Sequence, residues 1–234
     1  MSASTAALDR EQLLAQAARC YRDAGCLADA CRCFAARRDF ATAARLYEEL
    51  HDWLAAARCY EQATQWDAAA RCHLAAGWPL AAVRCHLAAG NPLAAGWLLA
   101  HRAHRYAQAR SVLARVRGET VEEELALLLA RARCIAPKQP AAAGRALRAL
   151  LPRLAELPAG RGCDQVMNWA FVLASEVLDR PDLTLELLTA AWDAGIDSRT
   201  RGEQWARQRL GDCAMLGLLE ADAAAETIST EPGD

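Results

Sequence analysis

Cysteine and histidine stand side by side twice, as Cys72-His73 and Cys85-His86, and Cys26, Cys31 and Cys33 cluster upstream. Thiolate and imidazole are the ligands that zinc-type ions prefer, so metal binding is the first chemistry to weigh. The spacings are not those of a zinc finger, and adjacent residues on a helix point about 100° apart. Leu46 and Leu98 also occupy the cysteine position in sister segments. A place shared by Cys and Leu behaves as an apolar core position, so neither a metal nor a cofactor is expected. His73 and His86 replace Tyr21, Phe34, Tyr47 and Tyr60 and read as ring fillers, with a pH-sensitive role open to an imidazole. No catalytic residue is assigned: the chain has no phosphate-cradling Gly-rich loop, no HExxH and no nucleophile elbow. Glu122, Glu123 and Glu124 open a helix, where negative charge suits the dipole.

Arginine forms the second constellation. Arg19, Arg32, Arg45, Arg58, Arg71, Arg84 and Arg110 share one phase of a thirteen-residue period, roughly 150° from the apolar stripe of each helix. Local pairs such as Arg19 with Asp23, Arg45 with Glu49 and Asp67 with Arg71 would make this a solvated face. The sharper reading is a ladder of guanidinium forks for an acidic peptide or phosphate. Between Asp67 and Glu119 the chain carries seven arginines, four histidines and no acidic residue. Such a stretch projects a positive field unless Glu119, Glu122, Glu123 and Glu124 neutralise it.

The leading expectation is therefore a non-enzymatic adaptor that binds a protein partner. Arg45, Arg58, Arg71 and Arg84 supply charge, and Trp78 or Trp97 supplies an apolar anchor. Trp78 stands in a turn where the sister unit has Asn91, so the core does not require it; the plainer expectation lays its ring on the next helix. The alternative is a nucleic-acid-binding repeat that uses residues 71–117. It ranks second because Lys138 is the sole lysine and no nucleic-acid motif is present.

These residues need a scaffold, and the period describes it. Ala30, Ala43, Ala56, Ala69, Ala82 and Ala95 recur every thirteen residues. Three and four places later come Cys33 and Phe34, Leu46 and Tyr47, Cys59 and Tyr60, Cys72 and His73, Cys85 and His86. Spacing of 0, 3 and 4 draws one apolar stripe on a helix. Gly77-Trp78-Pro79 and Gly90-Asn91-Pro92 punctuate two nearly identical units; Gly suits the residue after a helix and Pro the first turn of the next. Arg38-Asp39, His51-Asp52 and Thr64-Gln65 fill the same gap, with Asp or Thr as caps. Phe40, Trp53 and Trp66 open helices that lack Pro. Helices of about eleven residues joined by very short turns run antiparallel. The expected fold is all-α, an α-solenoid of short antiparallel helices with a C-terminal helical domain.

The run from Tyr60 through Trp66 to Ala69 and His73 resembles the aromatic, turn, small-residue, aromatic core of the tetratricopeptide repeat. The resemblance covers roughly residues 5–117. It departs in the unit, which is 13 or 26 residues rather than 34, and in the missing Pro at the close of each repeat. It implies an αα-superhelix used as a protein-binding platform. The stretch around Trp169 and Arg180-Pro181-Asp182-Leu183 resembles helical accessory proteins of bacterial conflict systems built on an ATPase and a von Willebrand-type domain. That resemblance implies an ATPase-system component as partner.

After about Gly118 the period is lost, and longer helices are expected over 120–135, 141–156, 163–179, 182–194 and 198–215. Pro152 should kink or end the second of these. Three regions follow: residues 1–118 as the repeat domain, 119–217 as the C-terminal helical domain, and 218–234 as a flexible tail. Residues 1–118 hold 15 arginines and 10 acids, against 12 basic and 19 acidic residues beyond, so the halves differ in sign. Ten cysteines, five of them at one phase of the repeat, suit reduced, buried core positions rather than a disulfide framework. With no charged-then-apolar leader and no apolar run near ~20 residues, a cytoplasmic protein with no membrane partner is expected.

Overall fold

The computed structural model describes residues 3–210, with side chains over 10–209. The expected tail at 218–234 lies outside them. Every regular element among the described residues is helical, and none of these helices is long and apolar enough to cross a membrane. The chain divides into two compact units, at Gln139 and Pro140.

In the first unit α1 (Ala3–Asp23) is followed by six helices of ten residues each: α2 (Leu27–Ala36), α3 (Phe40–Glu49), α4 (Trp53–Gln62), α5 (Trp66–Ala75), α6 (Pro79–Ala88) and α7 (Pro92–His101). Each packs on the next, a solenoid-like array with three-residue connections that reverse the chain. The alanine anchors Ala30, Ala43, Ala56, Ala69, Ala82 and Ala95 are all fully buried. A methyl group at that place lets neighbouring helix backbones approach closely, and the larger side chains at the next turn fill the remaining space. The cysteines follow the stripe from Cys59 onward, where Cys59, Cys72 and Cys85 are buried. Cys33 is half-buried and Cys20 exposed, contrary to the expectation of a uniform buried set. Both stand on α1 and α2, where the array begins.

The turns explain the period. The residue with positive φ is Gly25, Arg38, His51, Thr64, Gly77 and Gly90 in turn, one every thirteen residues. Its backbone N–H closes the preceding helix, as in Thr64 N–H to Glu61 O and Gly77 N–H to Leu74 O. The residue that follows it opens the next helix. Asp39, Asp52 and Asn91 do so with a side-chain oxygen that accepts a backbone N–H three residues on. Thr64 is not a cap, because it occupies the left-handed position; Gln65 takes the cap place without a side-chain bond. A β-branched residue is the poorest occupant of that position. Thr64→Gly is expected to raise stability by about 1 kcal/mol in urea denaturation; a neutral or negative change would show that this turn is unstrained.

Two further helices complete the unit, α8 (Tyr106–Leu113) and α9 (Val121–Ile135). Thr120 caps α9 by accepting the Glu123 N–H, and the Glu123 carboxylate accepts the Glu119 N–H. Gly118 lies against this cap: a Cβ there would stand 2.6 Å from the Glu124 nitrogen. Arg131 donates to the carbonyls of Leu113 and Val116, tying α9 to the end of α8. Because α9 packs on both α7 and α8, the compact unit extends to Gln139, past the loss of sequence period at 118.

The second unit holds α10 (Pro140–Leu150), which tightens into a 3₁₀ segment over Leu151–Glu156 at Pro152, as Pro inside a helix requires. Then come α11 (Arg161–Val172), a π turn at Leu173–Val177, α12 (Pro181–Asp193) and α13 (Arg199–Leu210). Leu147, Leu150, Leu154, Val166, Leu173, Leu183 and Leu187 form its core. On its surface Arg148 grips Glu186 through two bonds of 2.8 and 2.9 Å and reaches Asp182 at 3.3 Å. The hydrogen bonds from Arg180 hold the Asp182 carboxyl down at about 2.

Candidate functional site

The turn Gly77-Trp78-Pro79 lies in an open depression of the first unit. Trp78 precedes a proline, takes an extended φ of −111°, and donates its backbone N–H to His73 O. Trp78 is 55% exposed and Leu80 beside it 44% exposed. Together with Pro79, Ala81 and Ala103 they floor a depression of about 520 Å³ whose rim is Arg84, Arg102 and Arg105. These three guanidinium groups are exposed and make no ion pair among the described residues. An apolar floor with an unneutralised cationic rim suits a ligand that couples an apolar side chain to negative charge.

The other repeat arginines, Arg19, Arg32, Arg45, Arg58, Arg71 and Arg110, are exposed as the helical phase requires. Arg45, Arg58 and Arg71 stand on α3, α4 and α5 and do not line the Trp78 depression, whereas Arg84 does. The expected pairs of Arg19, Arg45 and Arg71 do not form. In the first two the arginine precedes the acid, the weaker order on a helix, and Asp67 instead lies 3.6 Å from His86. Arg32 pairs with Asp29. Of the acids just past the basic stretch, Glu123 turns its carboxylate back to accept the Glu119 N–H at the start of α9.

Trp97 is corrected outright. It is 4% exposed, stacked on His101 with ring centroids 5.4 Å apart, and is no surface anchor. The cause is α7 itself, which meets α6, α8 and α9, so Leu93, Trp97, Leu98 and Leu99 are buried on every side. Burial, reinforced by Arg133, Arg102 and His104, pushes the His101 imidazole down to about 4. Arg133 is itself buried, with its guanidinium 5.5 Å from the centre of the Tyr106 ring.

Two carboxylates were missed. Glu48 on α3 accepts the Tyr60 hydroxyl of α4 at 2.7 Å and the Cys72 thiol of α5 at 3.3 Å. One repeat later Glu61 on α4 meets His73 Nε2 of α5 at 2.8 Å and the Cys85 thiol of α6 at 3.5 Å. The acid, ring and thiol are spaced by twelve residues each, one fewer than the period, which brings successive helices to a common point. Burial, then the bond to its glutamate, pushes the Cys72 thiol up to about 12 and that of Cys85 up to about 11. Both cysteines rest as thiols under ordinary conditions.

Fold and surface together define an all-α helical repeat array with a cationic, aromatic-floored depression. No family model matches the chain, and no curated protein or solved structure is significantly similar to it.

Proposed function

We propose that the chain is a non-enzymatic adaptor that holds an acidic segment of a protein partner in the Trp78 depression. The observation that carries this reading is the exposed Trp78 beside Leu80, lined by Arg84, Arg102 and Arg105, which form no ion pair among the described residues. An aromatic that the core does not use, framed by arginine, has the composition of an interface hot spot. The partner segment carries one aromatic or long aliphatic side chain for the floor and carboxylates or phosphates for the rim. The tetratricopeptide-like pattern and the resemblance to conflict-system accessory proteins fit such a platform and suggest a component of an ATPase system as the natural partner. Arg45, Arg58 and Arg71 extend the charge along neighbouring helices.

A second reading has its own observation. Arg71, Arg84, Arg102, Arg105, Arg110, Arg115 and Arg117 are all exposed in a stretch without acids, which would also serve a phosphate backbone. The adaptor is favoured because apolar floor and charge adjoin at one place. Selecting a random peptide library on the immobilised full chain separates the two. Enrichment of acidic peptides with one large apolar residue supports the adaptor. No acidic enrichment, together with oligonucleotide binding that weakens steeply with salt, supports the second reading.

A further inference from the structure

We propose that Glu61, His73 and Cys85 form a binding site for a zinc-type divalent ion that ties α4, α5 and α6 together. The site is independent of the peptide-binding reading. Glu61 Oε1 lies 2.8 Å from His73 Nε2 and 3.5 Å from Cys85 Sγ, and the three ligand atoms all fall within 4.8 Å of one another. Around a tetrahedral zinc with bonds of about 2.0–2.3 Å, neighbouring ligand atoms stand about 3.3–3.6 Å apart. The Glu61–Cys85 separation falls in that range, the Glu61–His73 separation is shorter, and the third is within 4.8 Å, so closing on an ion requires the side chains to adjust. Carboxylate, imidazole and thiolate are each accepted ligands of zinc-type ions.

Burial also suits the assignment. His73 and Cys85 are almost wholly enclosed, while the Glu61 side chain is one-third exposed. That side offers entry for the ion and a fourth coordination position for water, as in three-ligand zinc sites. Ligation through His73 Nε2 takes the neutral imidazole with its proton on Nδ1, and the Cys85 thiol gives its proton to solvent, so the two charges of the ion are met by one carboxylate and one thiolate.

The preceding rung is an internal control. Glu48, Tyr60 and Cys72 take the same arrangement, with a phenol where the later rung has an imidazole. A protonated phenol donates to the carboxylate and does not ligate zinc, so the fold sustains the arrangement without a metal. Replacing that ring by His73 converts a hydrogen-bonded rung into a full three-ligand set. Leu46 and Leu98 at the cysteine position argued against a metal in the repeat as a whole. At the Glu61 rung, acid, imidazole and thiol converge, which a leucine at the cysteine position elsewhere does not alter.

The test is titration of the reduced, chelator-stripped full chain with cobalt(II), followed by zinc(II). The expected result is a thiolate-to-cobalt charge-transfer band that saturates at one equivalent, is bleached by zinc, and accompanies a zinc-dependent rise in thermal midpoint. His73→Tyr copies the preceding rung and Cys85→Leu copies Leu98, so both should keep their helical circular dichroism while losing the band. Glu61→Gln, at the solvent side, should weaken cobalt binding at least about tenfold and serves if either core variant misfolds. Absence of the band in the unaltered chain overturns the proposal. So does an undiminished band in a folded His73→Tyr protein, which would remove the imidazole from the ligand set, or a band that survives in a folded Cys85→Leu protein, which would place the thiolate at another cysteine such as exposed Cys20 or Cys26.

Discussion

Ala69→Leu is expected to lower the stability of the chain by about 1–3 kcal/mol. Ala69 is fully buried on α5, between α4 and α6, at the place where alanine recurs in each of six consecutive helices. Three added carbons must either push the flanking helices apart or take a strained rotamer, because the interior is already close-packed. Urea denaturation of the two proteins measures the loss. A stability unchanged within error would mean that helix spacing in the array is not governed by the small residue. The exposed neighbours serve as comparison: the same exchange at Ala75 on the outer face should change stability by less than about 0.5 kcal/mol.

Gly96→Ala should have a comparable effect for a different reason. Gly96 takes the place that Ala70 and Val83 hold in the preceding helices, but here α8 comes in directly above it. A Cβ at Gly96 would stand 2.4 Å from Leu113 Cδ2 and 2.5 Å from its Cγ. Leu113 is 1% exposed, so its side chain can yield only within a close-packed interior. Alanine would otherwise gain up to about 1 kcal/mol over glycine inside a helix, so the contact must overcome that gain. A net loss of about 1–3 kcal/mol is expected. Because the clash involves one partner, Gly96→Ala combined with Leu113→Ala should cost less than the sum of the two single changes. Strict additivity would show that the strain lies elsewhere.

These two sites mark what the sequence makes legible and what it does not. The thirteen-residue spacing of alanine, thiol and aromatic positions identifies every helix from α2 to α7, their buried stripe and the outward arginines. Each of these depends on helical phase alone. The division of the chain was less legible, since α9 packs on α7 and α8 after the period has ended. Trp97 stands at the arginine phase of the repeat, thirteen residues after Arg84, a phase that faces outward on the earlier helices, although the run Pro-Leu-Ala-Ala-Gly-Trp-Leu-Leu-Ala holds no charge on any face. A helix apolar all round belongs inside, and that signal was present. The glutamates of the two rungs were hidden because only Glu48 and Glu61 carry an acid at that position. The twelve-residue relation between their partners crosses from helix to helix and appears in no single helical face.

The depression at Trp78 drew on both kinds of information. Its arginine and tryptophan were visible as a turn residue and a repeat phase, while Leu80, Arg102 and Arg105 entered only when the helix ends came together. The central claim is that these residues act as one binding surface. The most direct measurement is the dissociation constant of a selected acidic peptide, by fluorescence polarisation, for the unaltered chain, Trp78→Ala and Arg84→Glu. Each substitution should weaken binding at least about tenfold, equivalent to about 1.4 kcal/mol, with helical circular dichroism unchanged. Peptide affinity that is indifferent to both substitutions would contradict the account and leave the exposed tryptophan without a role in recognition.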